Sequence, residues 1–262
     1  MAVIVVVPSP DTDTGLPRIA SALVSSLRAV RGQVPSVDRI TVVEFADLRS
    51  RPETPVSAAE AGQIEQRILE GWWGAAVRAG QGRGQPPDLP AALAGTTHFA
   101  HQQRAPEETA RELRRYLTDR KFRHELRDRT QACVGAETRV VVGHGIGALI
   151  AYEALCSVSD SVAVTLVTLG AALCGPPVVF DLLDPAPRNS QGEWPAAVRH
   201  WFNIVAHTDL TALSEARLTA RFGPGIEDMV IEPRAVTESL SGYLLDRSTG
   251  LAVATGLSTE FR

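Results

Sequence analysis

The sequence predicts an α/β fold in which a mostly parallel central sheet is flanked by helices. Short apolar runs rich in β-branched residues recur along the chain, and helical segments lie between them. Continuous apolar runs suit strands that are buried on both faces, as in a parallel sheet. The alternation of strand with helix is typical of doubly wound folds. The chain length of 262 residues fits one domain spanning residues 1–262.

The strand candidates are apolar runs that mostly end at Gly, Pro or Asp. They occupy residues 3–7, 40–45, 139–142, 162–169 and 201–205, with a weaker sixth run at 229–231. A helix is predicted over 16–29, where Ile19, Leu23 and Leu27 recur at a spacing of four. A second, more apolar helix is predicted over 147–155, directly after the third strand.

The interval from about residue 50 to 135 interrupts this alternation and predicts a helical insertion before the third strand. A helical segment over 63–78 contains Trp72 and Trp73, and the Gly-, Pro- and Gln-rich stretch 80–90 predicts a loop. We expect the tryptophans to pack against the sheet, with a partner-docking role as the alternative. The charged stretch 106–130 predicts a helix with a solvated face, because opposite charges recur three and four residues apart.

Composition excludes several classes of function. The net charge of −4 argues against a nucleic-acid partner, which needs a basic surface. No stretch approaches the roughly 20 apolar residues of a membrane helix, and the start of the chain lacks the features of a signal peptide. Cys133, Cys156 and Cys174 have no metal-ligand or C-x-x-C spacing and are expected to be reduced and mostly buried. We therefore expect a cytoplasmic protein without membrane insertion and without a cofactor.

The most informative segment, residues 139–153, has the pattern of a strand, a glycine-flanked turn and a helix. In the nucleophile elbow G-x-S-x-G, the serine lies on a strained turn at the top of the sheet. Here the outer glycines are Gly143 and Gly147, but the central residue is Gly145, which has no side chain to act as a nucleophile. Glycine fits the positive φ of such a turn better than any other residue. The turn geometry is therefore expected to persist without the nucleophile.

This segment resembles the elbow of bacterial α/β-hydrolase-fold serine hydrolases of the lipase and esterase type, which typically reads V-V-G-H-S-L-G before a helix of the A-Y-E-A-L kind. Further similar segments are F-A-D-L at 45–48, G-W-W at 71–73, V-T-L-G at 167–170 and the stretch 201–213. The resemblance covers most of the chain. It implies an α/β-hydrolase-like fold with a nucleophile, an acid and a base in that order along the chain.

Each catalytic position implied by the resemblance can be located in this sequence. The nucleophile position falls on Gly145, and the acid position falls on Asp209, which retains a carboxylate. The base of the family is a histidine after the acid, but all six histidines precede Asp209, and Glu238 or a neighbour stands at the base position. Without an imidazole to accept its proton, even a restored serine would remain unactivated.

The turn after the first strand also departs from the family pattern. The family has an H-G-x-G-like turn that helps to form the oxyanion hole, whereas this chain has Pro8, Ser9, Pro10 and Asp11. The two prolines have no N–H group to donate. Gly145 alone would be compatible with an engineered inactivation or with a serine supplied from elsewhere, but the three departures together predict a catalytically degenerate hydrolase.

The predicted function is therefore that of a pseudo-hydrolase, a ligand-binding, regulatory or partner-docking module with an unidentified small molecule or protein as its partner. Its remnant pocket is expected at the elbow residues Gly143, His144, Gly145, Ile146 and Gly147. Among these, His144 is expected to pack beside the sheet edge.

Other chemistries remain as alternatives. The chain could be an active α/β-hydrolase-fold enzyme with an unusual site in which Asp209 transfers a proton, although we favour Asp209 as the N-cap of a helix over 210–218. Cys156 and Cys174 could be nucleophiles, but neither lies at an elbow, and both are expected to be buried and inert. His98 and His101 are three residues apart, but no carboxylate or cysteine is close enough in sequence to complete a metal site.

Overall fold

The computed structural model describes residues 2–12, 15–30, 32–54, 56–102, 104–159, 162–213, 217–232 and 239–258, without the side chains of Leu16 and Cys174. Within these ranges the chain forms one six-stranded, all-parallel sheet with the strand order β2-β1-β3-β4-β5-β6. The strands are β1 (Ile4–Val7), β2 (Ile40–Val42), β3 (Val140–His144), β4 (Val164–Leu169), β5 (Val198–Ala206) and β6 (Ile226–Ile231).

Helices connect the strands and cover both faces of the sheet. They are α1 (Leu16–Ala29), α2 (Ala58–Arg78), α3 (Leu89–Ala94), α4 (Thr97–His101), α5 (Pro106–Thr118), α6 (Arg120–Cys133), α7 (Ile146–Cys156), α8 (Pro177–Asp181), α9 (Leu218–Phe222), α10 (Leu240–Leu245) and α11 (Arg247–Ser258). Among the described helices, none combines the length and the apolar character needed to cross a membrane.

Alternate residues of each interior strand face the two helical layers, as the pleat of a strand requires. Ile4 and Val6 pack in the cluster formed with α1, α10 and α11, whereas Val5 and Val7 pack with α7 and the helices of the insertion. All residues of β1 and β4 are buried. The sequence prediction of strands buried on both faces is therefore confirmed for the interior of the sheet.

The bounds of strands β2, β5 and β6 differ from those of the predicted apolar runs. The apolar run 40–45 forms a strand only over Ile40–Val42. Strand β5 begins at Val198 and β6 at Ile226, earlier than the apolar runs indicated, because the polar residues at 199–200 and 227–228 interrupt the apolar pattern. An edge strand such as β6 can carry the exposed Glu227 without burying a charge, so its apolar pattern is weak.

The predicted insertion is present as helices α2 to α6 between β2 and β3. The segment 106–130 forms two helices instead of one, because Asp119 ends α5 and caps α6. Its carboxylate accepts hydrogen bonds from the backbone N–H groups of Thr54 (2.9 Å) and Phe122 (3.2 Å). Burial opposes ionisation of Asp119, but the hydrogen bonds from Thr54 and Phe122 and the positive charge of Arg115 together outweigh it and lower the pKa of the carboxyl group.

A buried carboxylate fastens the insertion to the helix that follows the elbow. Glu153 of α7 is fully buried and accepts hydrogen bonds from Tyr116 Oη (2.6 Å) and Arg123 Nε (2.8 Å). Burial and the adjacent Glu153 charge raise the pKa of the Tyr116 phenol, so the phenol remains a hydrogen-bond donor.

Trp72 of α2 is also buried, at 1% exposure, which excludes it as an exposed docking anchor. Trp73 is partly buried and donates to the carbonyl of Gly84.

Candidate functional site

The turn between β3 and α7 has the geometry that its glycines predicted. Gly145 lies between the strand and the helix with φ 58° and ψ −121°, in a region that side chains disfavour. A Cβ atom on Gly143 would lie 2.6 Å from the Cα atom of Ala148. A Cβ atom on Gly147 would lie 2.5 Å from the Pro8 carbonyl oxygen and would overlap the end of β1. The outer glycines are thus required by the close approach of backbone to backbone.

A serine from the turn after the neighbouring strand β1 fills the space above Gly145. An ideal Cβ atom on Gly145 would lie 2.6 Å from Ser9 Oγ. The Ser9 hydroxyl donates to the His144 carbonyl (3.1 Å) and accepts from the N–H of Ile146 (3.1 Å). The sequence analysis missed this role of Ser9. The signal that could have revealed it is the adjacency of β1 and β3, which places both of their carboxyl ends at the elbow.

The turn that carries Ser9 is rigidly held. The Thr12 N–H donates to the Ser9 carbonyl (2.9 Å). Arg49 donates from Nε to the carbonyl of Pro10 (2.7 Å) and from Nη2 to that of Thr12 (2.8 Å). Because Pro8 and Pro10 have no N–H and the Thr12 N–H is used within the turn, these three residues supply no backbone donor to a neighbouring oxyanion.

Asp209 follows β5 and is buried at 2% exposure. Its Oδ1 atom accepts from Thr211 Oγ1 (2.6 Å) and from the Thr211 N–H (3.2 Å), and its Oδ2 atom accepts from Tyr243 Oη (2.8 Å). Tyr243 Oη in turn accepts from the Ala206 N–H (2.9 Å). The predicted helix over 210–218 is wrong for its described part, because a turn follows Asp209 and α9 begins only at Leu218. Asp209 therefore orders a turn instead of capping a helix.

The structure brings a histidine of the insertion to this carboxylate. His98 of α4 places its Nδ1 atom 3.7 Å from Asp209 Oδ1, and both side chains are almost completely buried. Its ring also lies edge-on to that of Phe99. The sequence analysis searched for a histidine after Asp209 and missed this pair, because no local pattern connects a histidine in an insertion with a carboxylate after β5.

Two further residues of the predicted site are His144 and Glu238. His144 lies at the carboxyl end of β3, an interior strand, and its ring centroid is 5.6 Å from that of Tyr243. His144 thus packs at the carboxyl end of the sheet. The expected packing beside the sheet edge would have placed it at a lateral edge instead. Glu238 lies outside the described residues. The residue after it, Ser239, lines the cavity described next.

These groups surround a cavity of about 370 Å³ at the carboxyl ends of the strands, near the lower limit of typical ligand pockets. The strand order reverses between β1 and β3, and ligands of open α/β sheets bind at such switch points. The elbow residues His144, Gly145 and Ile146 form one wall, and Trp72 of the insertion forms part of another. Of the predicted pocket residues, Gly143 and Gly147 are absent from the described lining.

The charged groups at the cavity come from three parts of the chain. Arg104 forms ion pairs with Asp11, after β1, and with Glu112 of α5, the latter at 2.9 Å. Burial raises the pKa of the Glu112 carboxyl group even though Arg104 acts in the opposite direction. Asp209 supplies a third carboxylate.

Neither metal nor thiol chemistry is supported by the described residues. They contain no group of three His, Cys, Asp or Glu side chains arranged to hold a metal ion. Cys133 and Cys156 are free and half-buried, less buried than expected. Burial raises the pKa of both thiols, that of Cys156 to about 12, so neither is a thiolate near neutral pH.

Comparisons with known proteins give no assignment, since no protein-family model, no curated protein and no solved structure matches this chain.

Proposed function

We propose that this chain is a catalytically degenerate α/β-hydrolase-like protein that binds a small molecule in the cavity above the elbow. The glycine-flanked turn between β3 and α7 and the carboxylate after β5 support this proposal, because both fit the positions of the hydrolase resemblance. The cavity at the switch point of the sheet gives the protein a place to bind a ligand.

The single observation that carries the proposal is the arrangement of Ser9 over Gly145. In a hydrolase elbow, the N–H of the residue after the nucleophile stabilises the oxyanion. Here that N–H belongs to Ile146, and the Ser9 hydroxyl already accepts its hydrogen bond. Both the nucleophile position and one oxyanion donor are therefore occupied by the protein itself.

Ser9 is a poor substitute for the missing nucleophile. Its hydroxyl proton is directed to the His144 carbonyl, which is not a base that could accept it. One of its two lone pairs accepts the hydrogen bond from the Ile146 N–H. The geometry thus favours a space-filling and hydrogen-bonding role for Ser9 over nucleophilic catalysis.

The test is activity-based labelling of the unmodified protein. We expect no labelling by a fluorophosphonate probe and no turnover of p-nitrophenyl esters from acetate to palmitate, with an active lipase as the positive control. Turnover that disappears in the Asp209→Asn variant would overturn the proposal. Labelling that disappears in the Ser9→Ala variant would overturn it as well and would identify Ser9 as a nucleophile.

A second candidate is an enzyme of unusual mechanism that uses Asp209 together with His98. The 3.7 Å approach of His98 Nδ1 to Asp209 Oδ1 favours it. However, His98 has a side chain of 0% exposure and is not part of the described cavity lining, so a substrate in the cavity does not reach its ring. Ester turnover that is lost in both His98→Gln and Asp209→Asn would favour this candidate over the first.

A further inference from the structure

A groove on the surface of the insertion is separate from the cavity at the elbow. It has a volume of about 680 Å³ and lies between one face of α2 and the segment that leads into α3. From α2 it is lined by Gln66, Glu70 and Trp73, which share a helix face because they are three or four residues apart. Its other side is formed by residues 85–90, which include three prolines. The groove and the elbow cavity share no described lining residue.

Trp73 is the aromatic residue of this groove, and its indole is held in place. Its Nε1 atom donates to the carbonyl of Gly84 (2.7 Å). One edge of the ring packs against Gly82, where a Cβ atom would lie 2.5 Å from Trp73 Cη2. Unlike the buried Trp72, Trp73 is only partly buried. Because its polar atom already has an acceptor, Trp73 offers the groove an ordered apolar ring surface, which is a common anchor for a partner protein.

The described lining of the groove carries negative charge without a compensating cation. Glu70 and Asp88 are exposed carboxylates, and the described lining includes no Lys, Arg or His. Glu70 Oε1 accepts from Gln66 Nε2 (2.9 Å), and Asp88 Oδ1 accepts from the Ala91 N–H (3.1 Å). Both donors are neutral, so these bonds orient the two carboxylates without neutralising them.

The neighbouring arginines indicate where in the groove a cation would bind. Arg67 forms an ion pair with Asp181 (3.6 Å). Arg78 lies one turn after Gly74 on α2, and its Nη1 atom would be 3.4 Å from a Cβ atom on Gly74. A cationic partner is therefore repelled at the Gly74 end of the groove and attracted at the Glu70 end.

We propose that this groove docks an arginine-bearing, basic segment of a partner protein. The guanidinium group would lie beside the Trp73 ring and the Glu70 carboxylate, because an indole face and a carboxylate both attract a cation. Apolar neighbours in the segment would pack on the prolines within 85–90, whose fixed φ limits the conformational entropy lost on binding. The net charge of −4 also favours the encounter with a basic partner.

The test uses a heptapeptide of sequence LRPLRPL with an acetylated and an amidated end, and its analogue in which citrulline replaces both arginines. Citrulline keeps the shape of arginine and removes its charge. By isothermal titration calorimetry at pH 7, we expect the arginine peptide to bind at least about tenfold more tightly than the citrulline peptide. Equal affinities, or no saturable binding of the arginine peptide at millimolar concentration, would overturn the proposal.

The position of the bound peptide can be read from the indole N–H resonances of the four tryptophans in ¹⁵N-labelled protein. The resonance of Trp73 is assigned from the spectrum of the Trp73→Phe variant. We expect the arginine peptide to shift the Trp73 resonance more than the other three. A larger shift at Trp72, which lines the elbow cavity, would place the peptide there and would contradict the proposal.

Two matched variants separate the charge of the groove from the charge of the whole protein. Glu70→Gln is expected to weaken binding of the arginine peptide by about three- to tenfold and to leave the citrulline peptide unaffected. Glu137→Gln removes an exposed carboxylate outside the groove and is expected to change neither affinity. Equal effects of the two variants on the arginine peptide would show that only the overall charge attracts it.

A second copy of this chain is the other occupant that the experiment must distinguish. Sedimentation equilibrium of the unmodified protein is expected to give a monomer. A dimer that dissociates in the Glu70→Gln or the Trp73→Phe variant would overturn the proposal, because the groove would then be an interface between copies.

Discussion

The elbow and the Asp209 corner lie at the same end of the sheet, but they differ in what they offer to chemistry. The elbow keeps its backbone, with Gly145 at φ 58°, but it has no nucleophilic side chain. The Asp209 corner keeps its carboxylate and a full set of donors, but the histidine at 3.7 Å is buried away from the cavity. Backbone packing and hydrogen bonding account for both arrangements, because each contributes to stability whether or not catalysis takes place.

The elbow side of this comparison can be tested by adding one methyl group. Gly147→Ala would place a Cβ atom against the carbonyls at the end of β1, where only backbone could move away. We expect the free energy of unfolding to fall by about 3–5 kcal/mol, measured by urea denaturation.

Gly62→Ala is the matched control for this substitution. Gly62 lies in the exposed interior of α2, and a Cβ atom there meets nothing within 4 Å. We expect a gain of about 0.5–1 kcal/mol, because alanine favours the helix. A Gly147→Ala protein as stable as the parent would show that close packing does not fix the elbow.

The Asp209 corner can be tested by removing one hydroxyl group. Tyr243→Phe leaves the Ala206 N–H and one Asp209 oxygen without their partner in a buried setting. We expect a loss of about 2–3 kcal/mol in the free energy of unfolding. Tyr152→Phe is the control, since it removes a hydroxyl that bonds the Glu193 carbonyl and interacts with the Cys156 thiol but no buried carboxylate, and it should cost about 1 kcal/mol. Equal losses in the free energy of unfolding for the two variants would mean that the hydrogen bonds of the Asp209 corner stabilise the fold no more than an ordinary hydrogen bond does.

Ser9 connects the elbow to β1, and a double-mutant cycle measures that connection. Gly145→Ala imposes a positive φ on a side chain and places its Cβ atom 2.6 Å from Ser9 Oγ, so we expect a loss of about 2 kcal/mol. In a Ser9→Ala background the steric part disappears, and a coupling of about 1 kcal/mol should result. Strict additivity of the two substitutions in thermal denaturation would contradict the contact.

Sequence patterns predicted the strands and the elbow, because these features depend on residues that are close together along the chain. The apolar runs located all six strands, and the spacing of Gly143 and Gly147 located the elbow. The contact of Ser9 with Ile146 joins residues 137 positions apart, and the pairing of His98 with Asp209 depends on how the insertion folds over the sheet. Such contacts leave no periodic trace in the sequence, so only the packed structure reveals them.

The smallest expected effect is a partial return of nucleophilic reactivity. Gly145→Ser with Glu238→His restores the residue types that the hydrolase resemblance implies, but the new side chain must compete with Ser9 for space and for the Ile146 N–H. Adding Ser9→Ala releases that N–H, and a single oxyanion donor is worth about 10²–10³ in rate in a mature enzyme. We expect the triple variant to react with a fluorophosphonate probe about tenfold faster than the double variant, a smaller gain because Pro8 and Pro10 of the first-strand turn have no N–H to donate. Gly145→Ala in place of Gly145→Ser is the control that removes only the nucleophile. A folded triple variant that reacts no faster than the double variant would show that Ser9 does not block the elbow. The difference between the elbow and the Asp209 corner would then depend only on the backbone geometry of the elbow.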